Sequence, residues 1–256
     1  MLLPWSAANC DVSRQGPASG RWESEVTGET PNPAASDCGL EAGLSEDAFK
    51  VERYFPTLVF SVKVPDSEVL NAHLIEAIYA ERERDESGVR KSNFPELGGW
   101  HSHVKLHKDV TFAGLVQYVD EAAAMMCREL GYHRSYRLRI GTMWSIINPP
   151  GGLNRAHIHP DCNWSGVYYV QAPRNSGRIE FIDPRTQNLM SSVEYIPNTK
   201  RPRSCWTKVQ YKPVAGKMLI FPSWLYHSVD PNRSKAKGKA ADRIIVSFNL
   251  SQVRRR

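Results

Sequence analysis

The sequence predicts a mainly β chain with flanking helices, an α+β class best fitted by a double-stranded β-helix, or jelly roll, with two bracing helices. Three observations predict it. From Tyr136 onward, six runs rich in β-branched and aromatic residues (YRLRIGTMWSII, SGVYYV, GRIEFI, CWTKVQYK, GKMLIFP and RIIVSFNL) follow one another across Pro-, Gly- and Asn-rich turns. Short strands at close spacing with no helix between them imply an antiparallel sandwich or barrel. Upstream, two stretches carry helical periodicity. Finally, potential metal ligands fall at strand ends, where a jelly roll opens between its sheets.

In chain order, residues 1–45 are rich in Gly, Ser, Pro, Ala and Asp and show neither helical nor strand periodicity, which predicts a flexible N-terminal tail before a domain spanning 46–256. VERYFPTLVFSVKV has strand composition interrupted by Pro56. Asp66 and Ser67 offer helix caps, and Leu70, Leu74 and Ile78 recur every four residues, predicting a helix to about Arg84 that the DESG stretch stops. KSNFPELGGWHSHVKLH follows, with Gly98 and Gly99 in a tight turn presenting Trp100. Its histidines, His101, His103 and His107, lack a long element to hold them and are assigned surface or substrate-side roles. A second helix is predicted from about Val110 to Leu130, with Phe112, Leu115, Val116, Val119, Met126 and Leu130 buried and Gly131 as its stop.

Composition narrows the function classes. The 256 residues can bury one sizeable core, and 41% hydrophobic content fits a globular protein. No apolar run approaches a membrane span, and the LLPW patch near the N-terminus is too short for a signal-peptide core, so an intracellular, cytoplasmic protein without a membrane partner is expected. The five cysteines, Cys10, Cys38, Cys127, Cys162 and Cys205, are odd in number and scattered, which argues against a disulfide framework and a paired-cysteine zinc site. The net charge of +6 gathers at Lys200–Lys212, Arg233–Lys239 and Arg254–Arg256. Such clusters attract acidic substrates or phosphates, yet no nucleic-acid module accompanies them, and specific nucleic-acid binding is not expected.

The chemistry centres on NRAHIHPDCNWSGVYYV, Asn154 to Val170. In an extended strand His157 and His159 project to one side, and Asp161 continues that register. An isolated histidine is ordinarily hydrogen-bonded or solvated; three donors within five residues point instead to a metal, and a carboxylate among them would suit iron. A third anchor is His227, delivered beyond the apolar strand GKMLIFP about seventy residues later, a separation that antiparallel returns in a jelly roll close. Along RIIVSFNL, Arg243, Ile245 and Ser247 face one way and Ile244, Val246 and Phe248 the other. A guanidinium aimed into an apolar interior needs an anion: a ligand carboxylate gripped with the help of the Ser247 hydroxyl, or an acidic side chain such as Asp183.

These residues resemble the iron(II)- and 2-oxoglutarate-dependent dioxygenases, within them a group of oxygenases of undefined substrate. The likeness lies in SN followed by GGWHS (Ser92–Ser102), HIHP followed by SGVYYV (His157–Val170), and LIFPSWLYHSV with RIIVSFN. Prolyl hydroxylases show a similar arginine-to-hydroxyl spacing and tyrosine pair. The resemblance implies Fe(II) as cofactor, 2-oxoglutarate and dioxygen as cosubstrates, and hydroxylation of an unidentified substrate with release of succinate and CO2. It makes His227 the distal iron ligand, Arg243 with Ser247 the clamp for 2-oxoglutarate, and Tyr169 a wall of that pocket. The first ligands are His157 and His159 by the H-x-H-P phrase, or His159 and Asp161 by the superfamily's H-x-D; the two histidines precede Pro160 and can lie in regular strand, which favours them. Trp100, Trp144, Trp164 and Arg185 are candidates for the substrate side, with core packing the competing role of the tryptophans. Three rivals remain: a cupin-type metalloprotein, which would carry a glutamate where Asn163 and Trp164 stand; a zinc hydrolase, which leaves Arg243 idle; and a non-catalytic jelly-roll module that binds a metal or a partner.

Limited proteolysis is expected to cut first before Phe49. A chain shortened to begin at Glu46 is expected to keep the metal affinity of the full chain, as calorimetry would read; loss of the fold on truncation would contradict the tail assignment.

Overall fold

The computed structural model describes residues 50–85, 87–190 and 193–255, so the expected tail at 1–45 lies outside the described residues. Two units cluster separately, 1–54 and 55–256; of the first, only 50–54 are described, exposed and without regular structure. Among its described residues the second unit contains ten strands: β1 (Phe60–Lys63), β2 (Trp100–His101), β3 (Tyr136–Asn148), β4 (Asn154–His157), β5 (Trp164–Gln171), β6 (Ile179–Ile182), β7 (Lys208–Tyr211), β8 (Lys217–Pro222), β9 (His227–Val229) and β10 (Arg243–Arg254). Helices α1 (Ser67–Arg84), α2 (Ser87–Lys91) and α3 (Ala113–Glu129) precede β3, and α4 (Thr186–Met190) follows β6. Strands pair antiparallel into a six-stranded sheet, β1-β8-β5-β10-β3-β2, and a four-stranded sheet, β4-β9-β6-β7, the double sheet of a jelly roll.

The period-two alternation on β10 builds both cores. Ile244, Val246, Phe248 and Leu250 pack with Leu74 and Ile78 of α1 and Leu115, Val119 and Met126 of α3 in one cluster, so the two long helices brace the outer face of the larger sheet. Ile245 faces inward, with Val167, Tyr169, Leu219 and Phe221, against Ile179 and Phe181 of the smaller sheet. Burial of Leu74, Ile78, Leu115, Val119 and Met126 matches the helical faces read from the sequence, and Gly131, at φ +63°, follows the end of α3 in the left-handed region that suits glycine.

Local structure departs from expectation in three places. The strand expected within Val51–Val64 is confined to Phe60–Lys63, because Phe55 takes φ +57° and Pro56 has no N–H to give a ladder. Asp66 precedes α1 but makes no side-chain cap, since its left-handed backbone (φ 46°) is not the extended conformation that lets an N-cap side chain reach the first turn. Strands β2 and β9 went unrecognised, being two and three residues long and too short for periodicity to register, and the strand expected to carry both His157 and His159 ends at His157.

Gly166 on β5 is required by close packing. A Cβ there would run into the ring of Phe248 on the adjacent strand β10, with which Gly166 is in register. Gly166→Ala is expected to lower stability by about 1–3 kcal/mol, as for other overpacked cores, read as a fall in the urea midpoint at unchanged slope.

Candidate metal centre

Two short strands bring the histidines together. β4 lies antiparallel to β9 with His157 directly opposite His227, and His159 follows β4 with its backbone N–H on the Ser223 carbonyl (2.9 Å). One ring nitrogen from each of His157, His159 and His227 falls within 4.8 Å of the others. The ring centroids are 4.3 Å apart for His157 and His227, 5.1 Å for His157 and His159, and 5.2 Å for His159 and His227. Asp161, exposed and at φ +63° beyond Pro160, is not in this cluster.

Hydrogen bonding determines which nitrogen each ring offers. The His157 Nδ1 lies 2.7 Å from the Arg155 carbonyl, the His227 Nδ1 2.9 Å from the Leu225 carbonyl, and the His159 Nδ1 3.0 Å from the Asn249 amide oxygen. Each partner is an acceptor, so Nδ1 carries the proton and donates, leaving the lone pair on Nε2. The Asn249 oxygen also accepts from the Ser165 hydroxyl (2.9 Å), which holds the amide in place. Trp144 stacks on His159 at 5.7 Å, and His101 stacks on Trp144 at 6.0 Å. Burial, aided by the charge of His157, pushes the imidazole pKa of His159 down to about 4 and that of His227 down to about 3, so both are neutral at pH 7. Three imidazoles with free Nε2 lone pairs fit a divalent transition metal.

The cluster opens into a cleft of about 440 Å³ lined from both sheets. Arg243 lies in it, 1% exposed. Its Nη1 donates to the Ser176 and Asp230 carbonyls, and its Nη2 is buried with no hydrogen-bond partner among the described residues. Burial pulls its pKa down to about 10, so it remains a cation at pH 7. Asp183 is not its counter-ion, because Asp183 already accepts twice from Arg185 (3.0 and 2.9 Å). This half-satisfied guanidinium shares the cleft wall with Ser247 and the buried Tyr169, and has the donor chemistry to meet a carboxylate. Tyr169 is held protonated because burial pushes its hydroxyl pKa up.

Of the residues expected on the substrate side, Trp144 and His101 line the cleft. Trp100, Trp164 and Arg185 are not brought to it. Trp100 and Trp164 belong to the helix-side core, their indoles donating to the Asp85 carbonyl and the Tyr132 hydroxyl, and the Arg185 side chain is 55% exposed in its pair with Asp183. His103 and His107 do not line the cleft either; His107 lies on a separate depression of about 640 Å³ along α3. Two supporting residues escaped sequence reasoning. Asn249 was within reach, one pleat repeat beyond Ser247 on β10. Gly177, at φ +93°, gave no signal: a Cβ there would meet the Asp230 carbonyl and the Arg243 guanidinium, so only glycine lets the arginine reach its acceptors.

Residues 142–249, which contain all of these cleft residues from Trp144 to Asn249, match the family described as "Putative 2OG-Fe(II) oxygenase". No curated protein matches by sequence. Among solved structures, the non-heme alpha ketoglutarate dependent epimerase SnoN from nogalamycin biosynthesis is similar with a TM-score of 0.52 at 15% identity, over 78% of this chain and 79% of SnoN. The same enzyme in complex with Fe3+, alpha ketoglutarate and nogalamycin RO gives 0.52 at 14% identity, over 78% and 82%. A Pseudomonas putida prolyl-4-hydroxylase gives 0.48 at 16% identity, over 78% and 94%. At these identities the likeness is one of fold.

The depressed histidine pKa values carry a stability prediction for the metal-free protein. Below about pH 6.5 the unfolded chain protonates His159 and His227 while the folded chain keeps them neutral, so protons favour unfolding as pH falls towards 4. Between pH 7 and pH 5 the loss is expected to be on the order of 2 kcal/mol after discounting solvent screening at His159. Urea unfolding at the two pH values checks this, and the fall should shrink in His159→Asn/His227→Asn.

Proposed function

We propose, for a chain whose residues 142–249 match the putative 2OG-Fe(II) oxygenase family, that the cleft hydroxylates a substrate carbon with Fe(II) held by His157, His159 and His227. The observation that carries this reading is the pairing of two vacancies of chemistry in one cleft: three imidazoles tautomerised to offer Nε2, and a buried arginine with an unpartnered Nη2. Arg243 would bind the distal carboxylate of 2-oxoglutarate through Nη2, with the Ser247 and Tyr169 hydroxyls as further donors. When bound, iron with 2-oxoglutarate and dioxygen supplies insertion of one oxygen atom into a substrate C–H bond, the other entering succinate as CO2 leaves.

The chain's own residues bind, orient and exclude. Carbonyls of Arg155 and Leu225 and the Asn249 amide fix the three imidazole planes before any ligand arrives. The apolar side chains of Ile179, Phe221, Val229 and Ile245 line the cleft between the sheets and exclude water from it. Among the described residues no carboxylate joins the three histidines to offset the metal's charge, which favours a dianionic cosubstrate in the remaining positions. A second reading, a non-catalytic metal-holding jelly roll, is favoured by the absence of a carboxylate from the histidine cluster among the described residues.

Succinate release on adding Fe(II) and 2-oxoglutarate separates the two readings, and its absence would sink the first. His227→Ala is expected to abolish stoichiometric iron binding. Arg243→Met is expected to weaken 2-oxoglutarate by roughly 2–5 kcal/mol, about two orders of magnitude or more, whereas Lys237→Ala on an exposed loop should change little. Calorimetric titration compares them, and equal affinities would remove Arg243 from the site.

A further inference from the structure

The charge on the cleft wall is of one sign. Among its described lining residues are Lys91, Arg155 and Arg243 and four histidines, and not one Asp or Glu, in a chain that has 27 of them. Arg243 is committed to the buried end. Lys91 and Arg155 are different: both are exposed, both line the cleft, and neither makes an ion pair with a described residue. They also come from opposite sides. Lys91 ends α2, which immediately precedes the segment leading to β2, the edge strand of the six-stranded sheet, whereas Arg155 lies on β4, the edge strand of the four-stranded sheet. The cleft is therefore lined by one cation from α2 and one from β4. The flat rings of His101, Trp144 and His159, which line it too, form a continuous stack leading to the histidine cluster.

Neither the mechanism nor the fold uses these two cations. Two positive charges without ion-pair partners among the described residues raise the potential of the cleft they line, attract anions and repel cations. Nearby Asp85 is influenced by the Lys91 charge, yet its carboxylate accepts from Ser87 and does not line the cleft. The cleft's volume of about 440 Å³ lies at the lower end of the roughly 300–1,000 Å³ of small-molecule sites, and 2-oxoglutarate must share it.

We infer that the oxidised substrate is a small oxyanion, a carboxylate or phosphate whose charged group bridges Lys91 and Arg155 at the mouth while its body lies along the Trp144 stack towards His157, His159 and His227. The inference rests on the oxygenase reading of the same cleft. It assigns Lys91 and Arg155 to substrate selection and leaves Arg243 to the cosubstrate.

The test uses the full chain loaded with Zn(II) and 2-oxoglutarate, both bindings being verified first by calorimetry. Failure at that stage overturns the oxygenase reading itself. Matched probe triplets are then titrated: phenylacetate, phenylacetamide and phenethylamine; indole-3-acetate, indole-3-acetamide and tryptamine; hexanoate, hexanamide and hexylamine; with phenyl phosphate against phenol as the phosphate arm. The acid of at least one triplet is expected to bind tenfold or more tightly than its amide, with the amine weakest, and the phosphate arm tells which oxyanion is preferred. In Lys91→Glu/Arg155→Glu the acid-to-amine affinity ratio, an internal ratio insensitive to how much of the variant folds, is expected to invert; Lys91→Gln alone should reduce it several-fold. Amides or amines binding as tightly as acids, no discriminating triplet, or a ratio unmoved in both variants would overturn the inference while leaving metal and 2-oxoglutarate binding intact.

Discussion

The molecule depends on the two-sided hydrogen bonding of β10, which is paired along its length with β3 on one flank and over Ile244–Leu250 with β5 on the other. A strand bonded on both sides cannot slip without moving every side chain to the opposite face. That register sends Ile244, Val246, Phe248 and Leu250 to the helices and Arg243, Ser247 and Asn249 to the cleft. Burial of the hydrophobic side of β10 thus holds the polar side in place, and the cation at its start has no route back to water.

How much of this was legible follows from the length of each element. The helices α1 and α3 and the strands β3, β5, β8 and β10 are long enough for a period to repeat, and the alternation on β10 assigned Arg243 and Ser247 to the inner face correctly. The pairing of β4 with β9 is carried by a few residues joined by an irregular register, and no local pattern announces that His157 will stand opposite His227. Tryptophans misled for a related reason: composition cannot distinguish an indole that closes a helix-side core, as at Trp100 and Trp164, from one that walls a cleft, as at Trp144. Arg185 misled because a charged side chain in a loop finds the nearest carboxylate, here Asp183 two residues away.

The cluster of three imidazoles and the buried guanidinium of Arg243 are two halves of one cleft. Burial disfavours charge on the histidines and cannot remove it from the arginine, whose intrinsic basicity is too high. The cleft consequently holds imidazole donors at one place and a fixed cation at another.

The three anchors of the imidazoles are unequal in how they can be inherited. Two are peptide carbonyls, at Arg155 and Leu225, which every amino acid possesses, so codons 155 and 225 can drift without disturbing the ring they orient. The third is a side-chain amide, Asn249, which a single nucleotide change can erase. Descendants of this gene can therefore vary the mouth of the cleft at 155 to suit a new substrate while keeping His157 poised, whereas selection on the chemistry bears on position 249.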